Sequence, residues 1–210
     1  MAGRWTTDVS TASIIIPVLD EADCIARLLH ALRERYPDAE LLVVDGGSGD
    51  GTARIAEPLC DRLLQCEAGR ARQMNTGATA ARGDYLLFLH ADCMPTISAS
   101  ALGKALAAAP AWGFSQVRLS GDERVFAIIS WFMNQRSRLT SVATGDQMLF
   151  VSRARFRQLG GFEEVPLMED VALCKRLRRH ARPCILPAPV VTSSRRWRER
   201  GVLRTVLHMW

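Results

Sequence analysis

Unbroken apolar runs punctuate the first half of the chain. Ser13-Ile14-Ile15-Ile16, Leu41-Leu42-Val43-Val44 and Tyr85-Leu86-Leu87-Phe88-Leu89 are continuously apolar and rich in branched residues. That is the pattern of strands buried on both faces rather than on one. Pro17 is expected to end the first run, Asp45-Gly46-Gly47 the second and His90-Ala91-Asp92 the third. Between the first two, Ile25, Leu28, Leu29 and Leu32 fall at i, i+3, i+4 and i+7, which predicts an amphipathic helix from Glu21 to Tyr36. A short helix from Thr52, a strand around Leu63–Cys66, a helix over Arg70–Arg82 and an alanine-rich helix over Ser98–Ala109 continue the alternation. Strands alternating with helices predict an α/β fold, a mostly parallel central sheet flanked by helices.

The second half is less regular. Phe114–Leu119 reads as a strand, Arg124–Arg138 as a helix, Gln147–Val151 as a strand, Glu169–Arg179 as a helix and Val190-Val191-Thr192 as a last strand. Leu203, Val206, Leu207 and Trp210 form a further helical stripe, and residues 1–11 read as a loose leader. No internal repeat or low-complexity linker interrupts the chain.

Composition narrows the class. With 210 residues, 48% of them apolar, one domain over 1–210 has a sizeable core and two would be cramped. The formal charge is +5, and Lys104 and Lys175 are the only lysines. Arginine forks phosphates, so the excess points to an anionic ligand or a membrane surface; a biased base composition would give the same excess. No nucleic-acid partner is expected. The six cysteines, Cys24, Cys60, Cys66, Cys93, Cys174 and Cys184, have no zinc-like spacing and sit in apolar stretches. With no apolar signal region near Met1, a reduced, cytoplasmic protein is expected. No segment reaches the roughly 20 apolar residues of a membrane span. The run Val125–Met133 suits a buried helix or peripheral contact with the inner membrane face.

Ligands of parallel sheets bind beyond the carboxyl ends of the strands. Three acidic turns stand there: Pro17–Glu21, Asp45–Thr52 and His90–Asp92. The glycine-rich turn places Thr52 where a phosphate loop needs lysine, and it also fails the dinucleotide fingerprint. It is left as a flexible turn in which Asp45 accepts hydrogen bonds from a base or ribose and Gly47 allows close approach, or else as a tight turn with Ser48 or Asp50 capping the next helix. His90 and Asp92 lie on one side of an extended chain and together suit Mn²⁺ or Mg²⁺. Arg70, Arg72 and Asn75 are candidates to face phosphates or base, with solvated helix positions as the other reading. Glu169 and Asp170 suit either a helix N-terminus or a general base, and Arg196-Trp197 near the tail suits a diphosphate clamp or an anionic lipid surface.

In their order, Ser13-Ile14-Ile15-Ile16-Pro17-Val18-Leu19-Asp20-Glu21, Asp45-Gly46-Gly47-Ser48-Gly49-Asp50-Gly51-Thr52, His90-Ala91-Asp92 and Glu169-Asp170 resemble glycosyltransferase family 2 from about Ser13 to Trp197. The compactness of the chain and the wording of its motifs look most like small bacterial arsenosugar-biosynthesis or selenodomain-associated members. The resemblance implies the GT-A fold, with 12–93 as the nucleotide-sugar half and 112–210 as the acceptor half. It implies inversion at the anomeric carbon, a nucleotide-diphosphate sugar donor, a hydroxyl acceptor and a divalent metal. Pro17 and Glu21 would line the nucleotide pocket, Asp45 would bind the base and Asp92 would hold the metal. Asp170 matches the usual base with Glu169 beside it, and Gly145-Asp146-Gln147 matches an acceptor-side segment. Two departures stand out: His90 where the family's metal motif begins with aspartate, and Ser193 in place of glutamine ahead of Arg196-Trp197. The second argues against a processive polymer synthase. A nucleotidyltransferase and a non-catalytic nucleotide or membrane-surface module are the competing classes.

Overall fold

The computed structural model describes residues 11–165 and 167–194. The leader through residue 10, the tail stripe, Arg196 and Trp197 lie outside the described residues. Among the described residues eight strands form one sheet: β1 (Ala12–Val18), β2 (Glu40–Asp45), β3 (Arg62–Gln65), β4 (Tyr85–Phe88), β5 (Cys93–Pro95), β6 (Trp112–Leu119), β7 (Leu149–Ser152) and β8 (Cys184–Thr192). Their order is β3-β2-β1-β4-β7-β6-β8-β5. The first four neighbours run parallel. β7 is antiparallel to both β4 and β6, β6 and β8 are parallel, and β5 closes antiparallel on β8. Parallel pairing thus dominates the first half, and the second half is mixed.

The helices are α1 (Ala22–Arg35), α2 (Thr52–Ala56), α3 (Arg70–Ala80), α4 (Ala99–Ala107), α5 (Arg124–Thr140), α6 (Arg153–Gln158) and α7 (Glu169–Leu177). Alternate residues of each apolar run serve opposite faces. Ile14, Ile16, Leu41, Val43 and Leu87 meet α1 and α4, whereas Ile15, Leu42, Val44, Leu86 and Phe88 meet α3, α6 and α7. This double burial is why the runs carry no polar alternation. α5 lies on β6 through Phe126 and Met133 and leaves Val125, Ile128, Trp131 and Phe132 exposed. Among the described residues no helix is long and apolar enough to cross a membrane. All six cysteines are free, and burial pushes the thiols of Cys24 and Cys174 up to about 12.

Several expectations shift in detail. Pro17 does not end the first strand but lies inside β1. The Ile15 carbonyl accepts from Leu89 N, so strand alternation turns the Pro17 nitrogen to the same side, where pairing with β4 has stopped at Phe88. A residue with no N–H fits that place without loss. Gln147 belongs to a single 3₁₀ turn, Gly145–Gln147, and the strand expected there starts at Leu149. The last strand is longer than its apolar core, because Pro187 and Ala188 bulge out where the register jumps from Ser115–Leu186 to Gln116–Pro189.

Gly77 is the closest helix-to-sheet approach in α3: a Cβ there would overlap Cγ2 of Ile15 and press on Val44. Alanine is the better helix former by about 1 kcal/mol, yet overpacking costs about 1–3 kcal/mol. Gly77→Ala should therefore lower the urea midpoint; a variant as stable as the parent would show that the interface has slack.

Candidate active site

Two loops leave the same edge of the sheet, after β1 and after β2, and the sequence locks them together. Gln73, 4% exposed in α3, donates from Nε2 to the carbonyls of Val18 (2.7 Å) and Val44 (2.9 Å). Asp20 N donates to Ser48 Oγ (3.0 Å) and Gly49 N to Asp20 Oδ1 (2.8 Å). Glu21 N donates to Thr52 Oγ1 (2.8 Å) and Ala22 N to Asp50 Oδ2 (3.0 Å). The Thr52 hydroxyl, together with Ala22 N and Thr52 N, holds the Asp50 carboxyl below the usual range. Asp45, 2% exposed, accepts from Gly47 N (3.1 Å), Ser48 N (3.2 Å) and Ser48 Oγ (2.5 Å). The glycine turn is thus a buttress anchored from beneath by Asp45.

A cavity of about 420 Å³ opens beside these loops, lined by Pro17, Glu21, Arg70, Gln73, His90, Asp92 and Glu169 among others. A second, of about 460 Å³, shares Arg70 and His90 with it and is lined further by Arg136, Gly145, Asp146, Asp170, Lys175 and Arg178. Where the two meet, one ligand atom each from His90, Asp92 and Asp146 lie within 4.8 Å of one another, all three residues half-buried. His90 Nδ1 stands 4.0 Å from Asp146 Oδ1. An imidazole with two carboxylates is a donor set that fits Mn²⁺ well and Mg²⁺ through its oxygens. Gly145 packs so closely on the His90 ring that any Cβ would collide with it.

The adjacent acids at the start of α7 point to different cavities. Glu169, 3% exposed, lines the first, with Oε1 4.0 Å from Arg70 Nη1. Asp170 lines the second, accepting from Gly145 N on Oδ2 and from Val171 N on Oδ1, each at 2.6 Å. Desolvation by burial pushes both carboxyls up. The neighbouring negative charge adds to the effect on Glu169, while the backbone donors and Arg70 oppose the rise at Asp170. A carboxylate kept short of water and free to take another proton is what a general base requires.

Some expected residues are elsewhere. Arg72 lies on the exposed side of α3, paired with Glu67 and, at 3.0 Å, with Glu164. Asn75 clamps the backbone of Phe162 from both of its amide atoms at 2.9 Å. The helical period explains this: Arg70 and Gln73 share the cavity face, and Arg72 and Asn75 fall off it. Gln147 is fully buried; its Oε1 accepts from Ser137 Oγ (2.8 Å), so it secures the turn beneath Gly145 and Asp146. Gly47 is exposed with φ +94°, a conformation that suits glycine, and lines neither cavity. Sequence reasoning missed Gln73, the place of Asp146 beside His90 and Asp92, and Arg136. Gln73's spacing from Arg70 was the available signal for the first.

A family model described as Glycosyl transferase family 2 matches residues 13–124. Among curated relatives, Glycosyltransferase AglE of Haloferax volcanii is 38% identical over 100 residues, which are 43% of this chain and 33% of that protein. An uncharacterized glycosyltransferase of Mycobacterium tuberculosis is 30% identical over 169 residues, 75% of this chain and 64% of its own length. The solved mannosyltransferase PcManGT of Pyrobaculum calidifontis, in complex with GDP-Man and Mn²⁺, superposes with a TM-score of 0.66 at 24% identity, over 96% of this chain and 64% of that one. S. aureus TarS in complex with UDP gives 0.69 at 19% identity, over 87% and 60%. These likenesses show the GT-A fold. The chain spans between a third and just under two thirds of the length of the relatives it matches.

Burial raises Glu169, so its ionised form weakens the fold at neutral pH and its protonated form does not. Glu169→Gln should raise the melting temperature at pH 7.5. That gain should shrink as pH falls toward the ordinary glutamate value of about 4.3. A gain independent of pH, or a loss at pH 7.5, would contradict this account of Glu169.

Proposed function

The chain belongs to glycosyl transferase family 2, and we propose that it is an inverting glycosyltransferase moving a sugar from a nucleotide-diphosphate sugar to a hydroxyl acceptor. The observation that carries the reading is the meeting of two cavities at His90, Asp92 and Asp146, with Asp170 facing only the second. The first cavity takes the donor, between Pro17, Glu21 and Arg70, and the second takes the acceptor. This reading assigns 12–93 chiefly to the donor and 112–210 chiefly to the acceptor, with Glu169 lining the donor cavity from the second half.

In this reading Asp170 removes the acceptor hydroxyl proton as that oxygen attacks the anomeric carbon from the face opposite the leaving diphosphate. The carboxylate is held for this by Gly145 N and Val171 N, and each of its oxygens keeps a lone pair for the incoming proton. Arg70 reaches both cavities and supplies positive charge where the phosphates separate from the sugar. A divalent cation, Mn²⁺ or Mg²⁺, held by Asp92, Asp146 and His90 would neutralise the charge that develops on the diphosphate. A base N–H reaching Asp45 would take the place of the Ser48 hydroxyl on Oδ1. The wording of the motifs Asp45-Gly46-Gly47-Ser48-Gly49-Asp50-Gly51-Thr52 and His90-Ala91-Asp92 supports a place among the arsenosugar-biosynthesis or selenodomain-associated members. The exposed face of α5, with Ile128, Trp131 and Phe132, supports peripheral contact at the inner membrane face of a cytoplasmic enzyme.

The test is a nucleotide-sugar screen with Mn²⁺ or Mg²⁺, reading thermal stabilisation and release of nucleoside diphosphate. One base and one sugar should stabilise the protein, and chelation of the metal should stop release. Asp170→Asn should cut transfer by about 10²–10⁴-fold, the usual worth of a general base, and leave nucleotide affinity unchanged. Parental turnover by that variant would remove Asp170 from the base role. Release of pyrophosphate from a nucleoside triphosphate would make the protein a nucleotidyltransferase, and binding without sugar consumption would make it a non-catalytic module.

A further inference from the structure

The second cavity contains a positive charge that the fold does not use. Arg136, on α5, lines it with a half-buried side chain. Its Nε and Nη2 are shielded from solvent and have no hydrogen-bond partner among the described residues. The other arginines of that wall are engaged: Arg178 Nη1 donates to the Thr140 carbonyl at 2.6 Å, and Arg70 faces Glu169. Nε and Nη2 form one edge of the guanidinium, whose two parallel N–H groups match the two oxygens of a carboxylate or phosphate.

A half-buried guanidinium with two shielded N–H groups and no partner among the described residues is a cost to the fold, and desolvation depresses its pKa while the field of Asp170 only partly restores it. The rest of the wall agrees in sign: Lys175 and Arg178 are exposed at the cavity, whose acids are Asp146, at the metal cluster, and Asp170.

We propose that Arg136 is the anion-binding residue of the acceptor site, so that the hydroxyl offered to Asp170 belongs to a molecule carrying a phosphate or carboxylate group. The inference rests on the reading of this cavity as the acceptor side. The anion docks edge-on to Nε and Nη2, and Val142, Leu167 and Val171 line the same cavity with apolar surface for the remainder of the molecule. A small phosphate ester and the phosphate headgroup of a lipid share this chemistry.

Titration calorimetry with glycerol 3-phosphate, glycerate and neutral glycerol tests the soluble source, and co-sedimentation with phosphatidic acid vesicles against phosphatidylcholine vesicles tests the lipid one. Binding of either anionic probe over its neutral counterpart, weakened about tenfold or more in Arg136→Met, is the expected result. Arg136→Lys keeps the charge but not the fork and should fall between. Arg136→Met should also melt no lower than the parent without ligand, since it loses an unpartnered charge and keeps an apolar stem. Indifference of every probe to the substitution, no preference for an anion, or a lower melting temperature would overturn the inference. Binding of a nucleoside diphosphate with Mn²⁺, measured on the same samples, should be unaltered. Its absence in the parent protein would defeat the transferase reading instead, which keeps the two failures apart.

Discussion

The site depends on one buried amide. Gln73 reaches from α3 into the sheet and ties the carboxyl ends of β1 and β2 through the carbonyls of Val18 and Val44. Each bond adds only about 0.5–1.5 kcal/mol net, but a buried carbonyl left unpaired costs about 1–3 kcal/mol. Those strand ends therefore stay together where the segment after β1 enters the lining of the first cavity. The loops are then locked laterally by Asp20, Ser48, Asp50 and Thr52. A turn rich in glycine is stiffened, because its own Ser48, Asp50 and Thr52 side chains accept from the backbone of the facing loop and the Asp20 carboxylate accepts from Gly49 N.

The second organising fact is the division of labour between neighbouring acids. At the start of a helix, successive side chains are separated by about 100° of rotation. Glu169 and Asp170 accordingly look into different cavities although nothing separates them in sequence. Arg70 stands between them, and the His90, Asp92 and Asp146 cluster sits where the cavities join. The segment Thr144–Gln147 connects these parts: Gly145 N holds Asp170, the absent side chain of Gly145 makes room for His90, and Gln147 fixes the turn from below.

Elements buried on two faces were legible in the sequence, because double burial leaves no polar alternation to confuse; β1, β2 and β4 are of this kind. β5 is only three residues long and α6 only six, too short for periodicity to register. The early part of β8 is interrupted by Pro187 and Pro189, which read as breakers but are accommodated by a bulge against β6. In the site, the strand-end residues Pro17, Glu21, His90 and Asp92 came together as expected, since topology alone delivers strand ends to one edge. Positions on helices fared worse: Arg72 and Asn75 share the neighbourhood of Arg70 but not its face. Gln73, polar and mid-helix, resembles a solvated residue until the carbonyls above it are seen. Arg136 and Asp146 are brought in from the far half of the chain by tertiary packing, which no local pattern encodes.

The contact between Gly145 and the His90 ring bears on how this scaffold can be diversified. Position 145 admits no side chain without displacing an imidazole, and its N–H holds the neighbouring carboxylate, so a combinatorial library that varied it would consist mostly of dead clones. Val142, Leu167 and Lys175 line the same cavity without such ties, and Leu167 and Lys175 are solvent-exposed. Selection for a different ligand in this cavity has its free dimensions there, while the His90–Gly145–Asp170 arrangement stays intact.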